Sequence, residues 1–274
     1  MSKESAEPGG VPARLAATAV ILRDGEFGIE AFMVVRHQAI DFASGALVFP
    51  GGKVEAADAD AAWAELVPEG VAPAVRALYV AAARETFEEA GLMLARRRAS
   101  AGLISAEETL TLVARYRPSL IGGSTTFIGL MRAEGLTLAT ELMIPFAHWI
   151  TPEGLPKRFD THFFLVAAPV GQLGAHDGSE SVEGLWIRPE QALADAAARR
   201  RTLVFATHLN LQRLTRHASV AEAVAATRAM SIVTVMPRLV SRTAASRTLQ
   251  IPVEAGYGVS EVVVEAHIPE GNRK

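Results

Sequence analysis

The chain has no cysteine among its 274 residues. That excludes disulfides, thiolate zinc sites and cysteine nucleophiles, and it agrees with a reducing compartment. An excess of one charge is also missing: 27 Lys and Arg stand against 30 Asp and Glu, a net of −3, so no basic footprint points to nucleic acid. Long apolar runs are missing too. The first run, residues 15–22, ends at Arg23-Asp24-Gly25; it is too short to span a bilayer, and the polar residues before it are not the basic start of a signal peptide. No low-complexity tract or internal repeat is present. Half of the residues are hydrophobic, ample for a real core. The expectation is a soluble cytoplasmic protein with no membrane or nucleic-acid partner.

Residues 15–22 and 29–35 are rich in β-branched and aromatic side chains and flank a turn at Asp24-Gly25, which predicts a strand pair. Residues 46–49 read as a short buried strand that delivers the turn Pro50-Gly51-Gly52. Glycines there allow the backbone to approach a ligand or another strand closely. An ordinary turn is the competing reading. Residues 58–66 and 74–90 read as helices separated by Pro68-Glu69-Gly70. Helices are expected to continue over 95–145, one of them opening at Ser105 with Glu108 three residues on, as in a capping box, and running to Arg117-Pro118. The run Arg96-Arg97-Arg98 reads as a solvated end of the preceding helix that complements its dipole, or as a phosphate-binding patch.

Residues 158–166 read as a strand whose first half alternates, with Arg158, Asp160 and His162 on one face and Phe159, Thr161 and Phe163 on the other. The polar face could line a substrate pocket or form a salt-bridged surface. Nothing in the spacing supplies His162 with the further ligands of a zinc site. A polar loop over 171–184 precedes a short strand, Leu185-Trp186-Ile187, and a helix beginning Pro189-Glu190-Gln191-Ala192-Leu193. Beyond Arg199-Arg200-Arg201, helices over 207–217 and 219–229 and strand-rich runs over 231–240 and 255–267 make the tail too apolar to be disordered. The division expected is a loose tail over 1–12, a main domain over 13–198 with helical insertions near 59–80 and 95–140, and an α/β extension over 199–274 packed on the core.

The stretch Arg84-Glu85-Thr86-Phe87-Glu88-Glu89-Ala90-Gly91-Leu92 carries the chemistry. As a helix it sets Glu85, Glu88 and Glu89 on one face, with Tyr79, Ala83, Thr86, Phe87 and Ala90 forming a buried stripe opposite. Gly91 stands where a left-handed C-terminal cap belongs. Like charges at this spacing repel, and a hard divalent cation bound by their oxygens would remove the repulsion. Alone, such a triplet is more often a solvated face than a metal site.

Together with Phe49-Pro50-Gly51-Gly52-Lys53, this stretch resembles the signature of the Nudix hydrolases, G-x5-E-x7-R-E-U-x-E-E-x-G-U, where U is bulky and apolar. Gly52 matches the opening glycine, and Arg84, Glu85, Glu88, Glu89, Gly91 and Leu92 match the second half position for position. The chain departs from the pattern at Asp58, which replaces the first glutamate, and at Thr86, which replaces an apolar residue. Residues 59–83 also make 25 where the pattern has seven, an insertion of 18. An interrupted signature is similar to that of a branch including peroxisomal coenzyme A diphosphatases.

The resemblance implies an α/β/α sandwich with a mixed central sheet. It implies hydrolysis of the diphosphate bond in a nucleoside diphosphate linked to another moiety, with Mg²⁺ as cofactor and Mn²⁺ as a substitute. By the same resemblance Glu85, Glu88 and Glu89 ligate the metal, Arg84 orients a glutamate of the cluster, and Gly51 and Gly52 shape the adjoining loop. The acidic loop before the Trp186 strand implies a further glutamate, Glu180 or Glu183, as ligand or general base. The coenzyme A motif of another branch, R-S-x-x-L-R-x-H-x-G-Q, is partly echoed: Arg36, Ile40 and Gly45 line up with its first arginine, leucine and glycine, whereas His37, Asp41, Ala43 and Ala46 do not match its serine, second arginine, histidine and glutamine. Arg36, by this alignment, and Arg158, from the polar face of the 158–166 strand, are the candidate substrate contacts. Coenzyme A or acyl-CoA leads the substrate classes, ADP-ribose and dinucleotides follow, and a non-catalytic nucleotide sensor is the alternative from another class. Members often dimerise, so a homodimer is the one protein partner implied.

Overall fold

A computed structural model describes residues 11–36, 45–98, 100–172, 174 and 181–265. The strands, in chain order, are β1 (Arg14–Gly25), β2 (Gly28–Arg36), β3 (Ala46–Val48), β4 (Gly51–Lys53), β5 (Ala95–Arg97), β6 (Leu136–Leu138) and β7 (Ile144–Ile150). They continue as β8 (Phe159–Ala167), β9 (Ser181–Ile187), β10 (Thr202–Leu203), β11 (Thr234–Val235), β12 (Arg238–Arg242), β13 (Ser246–Gln250) and β14 (Glu261–Glu265). The helices are α1 (Pro73–Ala90), α2 (Ala106–Ile121), α3 (Phe127–Ala133), α4 (Pro189–Ala197), α5 (Phe205–Leu214) and α6 (Val220–Arg228). Among the described residues no helix is long and apolar enough to cross a membrane.

Nine strands form the central sheet in the order β10-β3-β2-β1-β8-β7-β11, with β4 also paired to β1 and β9 to β2. It is mixed: β1–β8, β3–β10 and β7–β11 are parallel, and the remaining pairs are antiparallel. Alternation along β1 explains the two layers built on it. Ala17, Ala19 and Ile21 face a core shared with α1, α2 and α3, while Val20 and Leu22 face one shared with α5 and α6. The sandwich anticipated above is the architecture found.

The insertion does not add an independent helix. Residues 56–59 and 61–65 form two short 3₁₀ turns, and most of the remainder extends α1 toward its N-terminus at Pro73, a residue suited to a first helical turn. Trp63, 1% exposed, locks the turns down: its indole N–H donates to the Ala57 carbonyl at 2.9 Å, and its ring packs on Phe127.

The helical expectation over 95–145 holds only for α2 and α3. The segment opens and closes with a two-stranded sheet of β5 and β6, and residues 144–150 are strand. Gly91 explains the break. At φ 64° it ends α1, and its N–H bonds to the Phe87 carbonyl. Leu92, Met93, Leu94 and Ala95 then run extended through the core, all unexposed. Arg96 and Arg97 therefore lie on a strand, paired with Glu141 and Glu108, and not on a helix end. The Ser105 capping box is present, but α2 runs through Pro118 to Ile121. Of the alternating strand, β8 starts at Phe159, one residue after Arg158.

Candidate active site

Buried α1 residues fix the direction of its polar face. Ala83, Thr86, Phe87 and Ala90 have no exposure, and the Tyr79 ring packs at a tilt against Phe164 of β8, 4.9 Å between centroids. The opposite face then presents Glu85, Glu88 and Glu89 toward the loop that holds β4. Arg84 is 7% exposed and organises this face. Its Nε and Nη2 both donate to Asp58, each at 3.0 Å. Its Nη1 is shared by Glu85 Oε1 and Glu88 Oε2, each at 2.9 Å. Nη2 also donates to the Lys53 carbonyl at 2.9 Å.

Asp58 is 2% exposed, and its second oxygen also accepts the Glu55 N–H at 2.8 Å. The shorter side chain in the outer glutamate position thus serves as the buried anchor for Arg84. Burial alone would lower the Arg84 pKa, but Asp58, Glu85 and Glu88 outweigh it and raise it, so the guanidinium stays charged. Burial pushes the Glu88 carboxyl above its ordinary range against the opposing pull of Arg84. A further support escaped sequence reading: Arg117 of α2, itself 7% exposed, donates from Nε to the Glu88 carbonyl at 2.7 Å. Its place beside Pro118 suggested only a helix end.

The two glycines sit against this cluster. The Gly51 N–H donates to Glu89 Oε2 at 2.9 Å. A Cβ on Gly52 would lie 2.2 Å from Glu85 Oε1, and one on Gly51 would lie 2.6 Å from the Ala17 carbonyl oxygen. Close approach is therefore the reason for Gly-Gly here. Glu85, Glu88 and Glu89 all border a cavity of about 990 Å³. Arg14, Arg36, Lys53 and Lys157 also border it, and Trp149, Phe159, Phe163 and Phe205 supply apolar wall. The Arg36 Nε–H is buried with no hydrogen-bond partner among the described residues. Hard carboxylate oxygens held by one guanidinium and one backbone N–H, beside a cavity bordered by cations, form a donor set that fits a divalent cation and an anionic ligand.

The other sequence candidates lie elsewhere. Arg158 is 9% exposed and donates to the Thr151 and Val11 carbonyls at 3.1 and 2.9 Å. These bonds hold it at the strand ends and away from the cavity. It is the apolar face of β8, carrying Phe159, Thr161 and Phe163, that opens to the cavity, while Asp160 and His162 take the opposite face. Alternation separated the two faces; only the packing of the sheet decides which one a ligand meets. Glu183 is bound by Arg201 at 2.7 and 2.9 Å on β9 and does not border the cavity. Glu180 lies outside the described residues.

The family model of the NUDT19 Nudix domain matches residues 69–214, a span that includes all three α1 carboxylates. The acyl-coenzyme A diphosphatase NUDT19 of Gallus gallus is 28% identical over 215 residues, which is 62% of this chain and 56% of that protein. The Xenopus laevis protein of the same name is 22% identical over 206 residues, 61% of this chain and 54% of its own. The chain thus spans a little over half the length of these curated relatives. A NUDIX hydrolase from Alicyclobacillus acidocaldarius superposes with a TM-score of 0.63 at 26% identity, covering 81% of this chain and 98% of that one.

Proposed function

Since this chain belongs to the Nudix hydrolase superfamily, with a NUDT19-type Nudix domain, we propose that it hydrolyses the diphosphate bond of coenzyme A or an acyl-CoA with Mg²⁺. The observation that carries this reading is the set of Glu85, Glu88 and Glu89 on a cavity of about 990 Å³ that is cationic and apolar at once. A diphosphate ester with an additional phosphate and a long, largely uncharged arm needs both kinds of lining. ADP-ribose has no such arm and would leave apolar wall unused. The Gallus gallus relative, named an acyl-coenzyme A diphosphatase, points the same way.

Glu85, Glu88 and Glu89 would hold the cation. A cation held there would supply charge neutralisation at the diphosphate oxygens and activation of a water. The chain's own groups do the positioning. Arg84 fixes the orientation of Glu85 and Glu88, and Asp58 in turn holds Arg84 with two of its own bonds. The Gly51 N–H holds one oxygen of Glu89. Arg14, Arg36, Lys53 and Lys157 can pair with phosphate oxygens, Arg36 through a donor with no partner among the described residues. Such preorganisation means that the site spends little on rearrangement when charge develops on the leaving phosphate.

The test is incubation of purified protein with Mg²⁺, and separately Mn²⁺, against CoA, acyl-CoA, ADP-ribose, NADH and sugar nucleotides, with products separated by chromatography. CoA or acyl-CoA should yield adenosine 3′,5′-bisphosphate and a phosphopantetheine product. Glu88→Gln should retain the fold and lose turnover. Preferred cleavage of ADP-ribose or NADH would overturn the substrate assignment, and undiminished turnover by Glu88→Gln would overturn the site.

A further inference from the structure

His162, which lacked partner ligands in the sequence, acquires them in the fold. β8 and β7 pair so that His162 lies directly across from His148, and β11 pairs with β7 so that Thr234 lies directly across from His148. The rings of His148 and His162 stack at 4.0 Å between centroids and 18° between planes. Asp160 reaches into the same space from two residues along β8. Its Oδ1 lies 2.5 Å from His148 Nε2 and 3.6 Å from His162 Nε2. One ligand atom from each of the three residues falls within 4.8 Å of the others. Their side chains are 16 to 30% exposed, so an ion has a path from solvent.

We propose that His148, Asp160 and His162 form a binding site for a borderline transition-metal ion of the Zn²⁺ class, separate from the carboxylates of α1. Two imidazole nitrogens and one carboxylate oxygen suit Zn²⁺, Co²⁺, Ni²⁺ or Cu²⁺, whereas Mg²⁺ prefers an all-oxygen set. Donors at about 2.1 Å around a tetrahedral Zn²⁺ stand roughly 3.4 Å apart. The 3.6 Å separation is already near that value, and Asp160 Oδ1 need retreat from His148 by about an ångström to reach it. A water would complete four-fold coordination at the open side.

The surroundings favour this more than a casual histidine pair would. His148 Nδ1 lies 2.7 Å from Thr234 Oγ1. With Nδ1–H donated there, Nε2 is left as the metal-binding nitrogen, the role that outer partners of histidine ligands ordinarily play. The next residue in the cross-strand row is Ala17, paired with His162 on one side and with Gly52 on the other. The site therefore lies on the order of 10 Å from the Gly-Gly loop, two strand spacings away. Binding would clip β7 to β8 directly and would draw in β11, which leads the last part of the chain, through Thr234.

The experiment uses the full chain, stripped with a chelator and kept in excess Mg²⁺ so that the α1 carboxylates are occupied. Zn²⁺ is then titrated calorimetrically into wild type, the double variant His148→Gln/His162→Gln, and Glu88→Gln. Wild type and Glu88→Gln should each take up one more Zn²⁺ per chain than the histidine variant, and Zn²⁺ should raise the melting temperature of wild type but not of that variant. Equal Zn²⁺ uptake by a folded histidine variant overturns the site. If that variant fails to fold, the histidine ring resonances of wild type decide. Zn²⁺, but not Mg²⁺, should shift two of them that single His148→Gln and His162→Gln spectra assign, and no shift overturns the proposal.

Discussion

A methyl group on Gly52 would occupy space that Glu85 already fills, 2.2 Å from Oε1 and 2.6 Å from Cδ. The clash is with a side chain, so the fold can answer it by moving Glu85 off Arg84 Nη1. Gly51 differs, because its added Cβ would meet main chain, the Ala17 carbonyl oxygen at 2.6 Å and Thr18 Cα at 2.7 Å. Side chains yield where packed backbone does not. Gly52→Ala is therefore expected to lose roughly 100-fold in turnover, the scale on which a displacement of about an ångström acts, while keeping a near-native melting curve. Gly51→Ala should lower the melting temperature as well. Paired kinetics and circular dichroism on both variants check this, and a Gly52→Ala protein with wild-type turnover would show that Glu85 need not stay where it is.

At the scale of elements, the site depends on a 3₁₀ turn closing onto a helix across the insertion. Asp58 and Arg84 are 26 residues apart and nearly inaccessible, at 2% and 7% exposure. Removing one partner of such a pair leaves a buried charge uncompensated, which destabilises by about 3–5 kcal/mol. Arg84 would keep Glu85, Glu88 and the Lys53 carbonyl, so Asp58→Ala should fall near the lower end, about 3 kcal/mol, read as a lower urea midpoint. It should also weaken Mg²⁺-dependent activity, since the released Arg84 Nε–H and one Nη2 N–H can turn toward the carboxylates proposed to hold the cation. A midpoint within error of wild type would remove Asp58 from the account.

The closure itself was not legible in the sequence. The carboxylate face, the buried stripe of α1 and the Gly91 cap follow from a local period of 3.6, and all appear in place. What a local pattern cannot carry is the partner across a gap: Asp58 on Arg84, Arg117 on Glu88, or His148 beside His162. The same limit explains the segment after α1. A run such as Leu92-Met93-Leu94 fits a buried helix or a buried strand by periodicity, and tertiary packing decides between them. Arg158 was separable from the apolar face of β8 but not assignable to either side of the sheet.

The largest scale concerns residues 199–274, where the family match ends at 214. In the fold, the described residues of this part, 199–265, are continuous with the rest. β10 and β11 are the two ends of the central sheet order, and α5 and α6 belong to the core layer that holds Phe146, Trp149, Phe163 and Leu165. A polar thread fastens the layer: Trp149 Nε1 donates to the Tyr257 hydroxyl at 2.9 Å, which donates to Asn210 Oδ1 at 2.7 Å. Leu209, Leu211, Leu214, Val220, Val235 and Ile251 are each less than a tenth exposed. Burying such side chains stabilises by roughly 1.5–3 kcal/mol apiece, together the order of a whole domain's net stability of about 5–15 kcal/mol. Phe205 and Thr207 also border the cavity, so the same segment serves the site. A chain ending at residue 198 should then show no cooperative thermal transition and should elute as aggregate in gel filtration, with no turnover. A truncated chain that melts cooperatively and runs as a compact species would instead make residues 199–274 an appendage that the catalytic fold does not need.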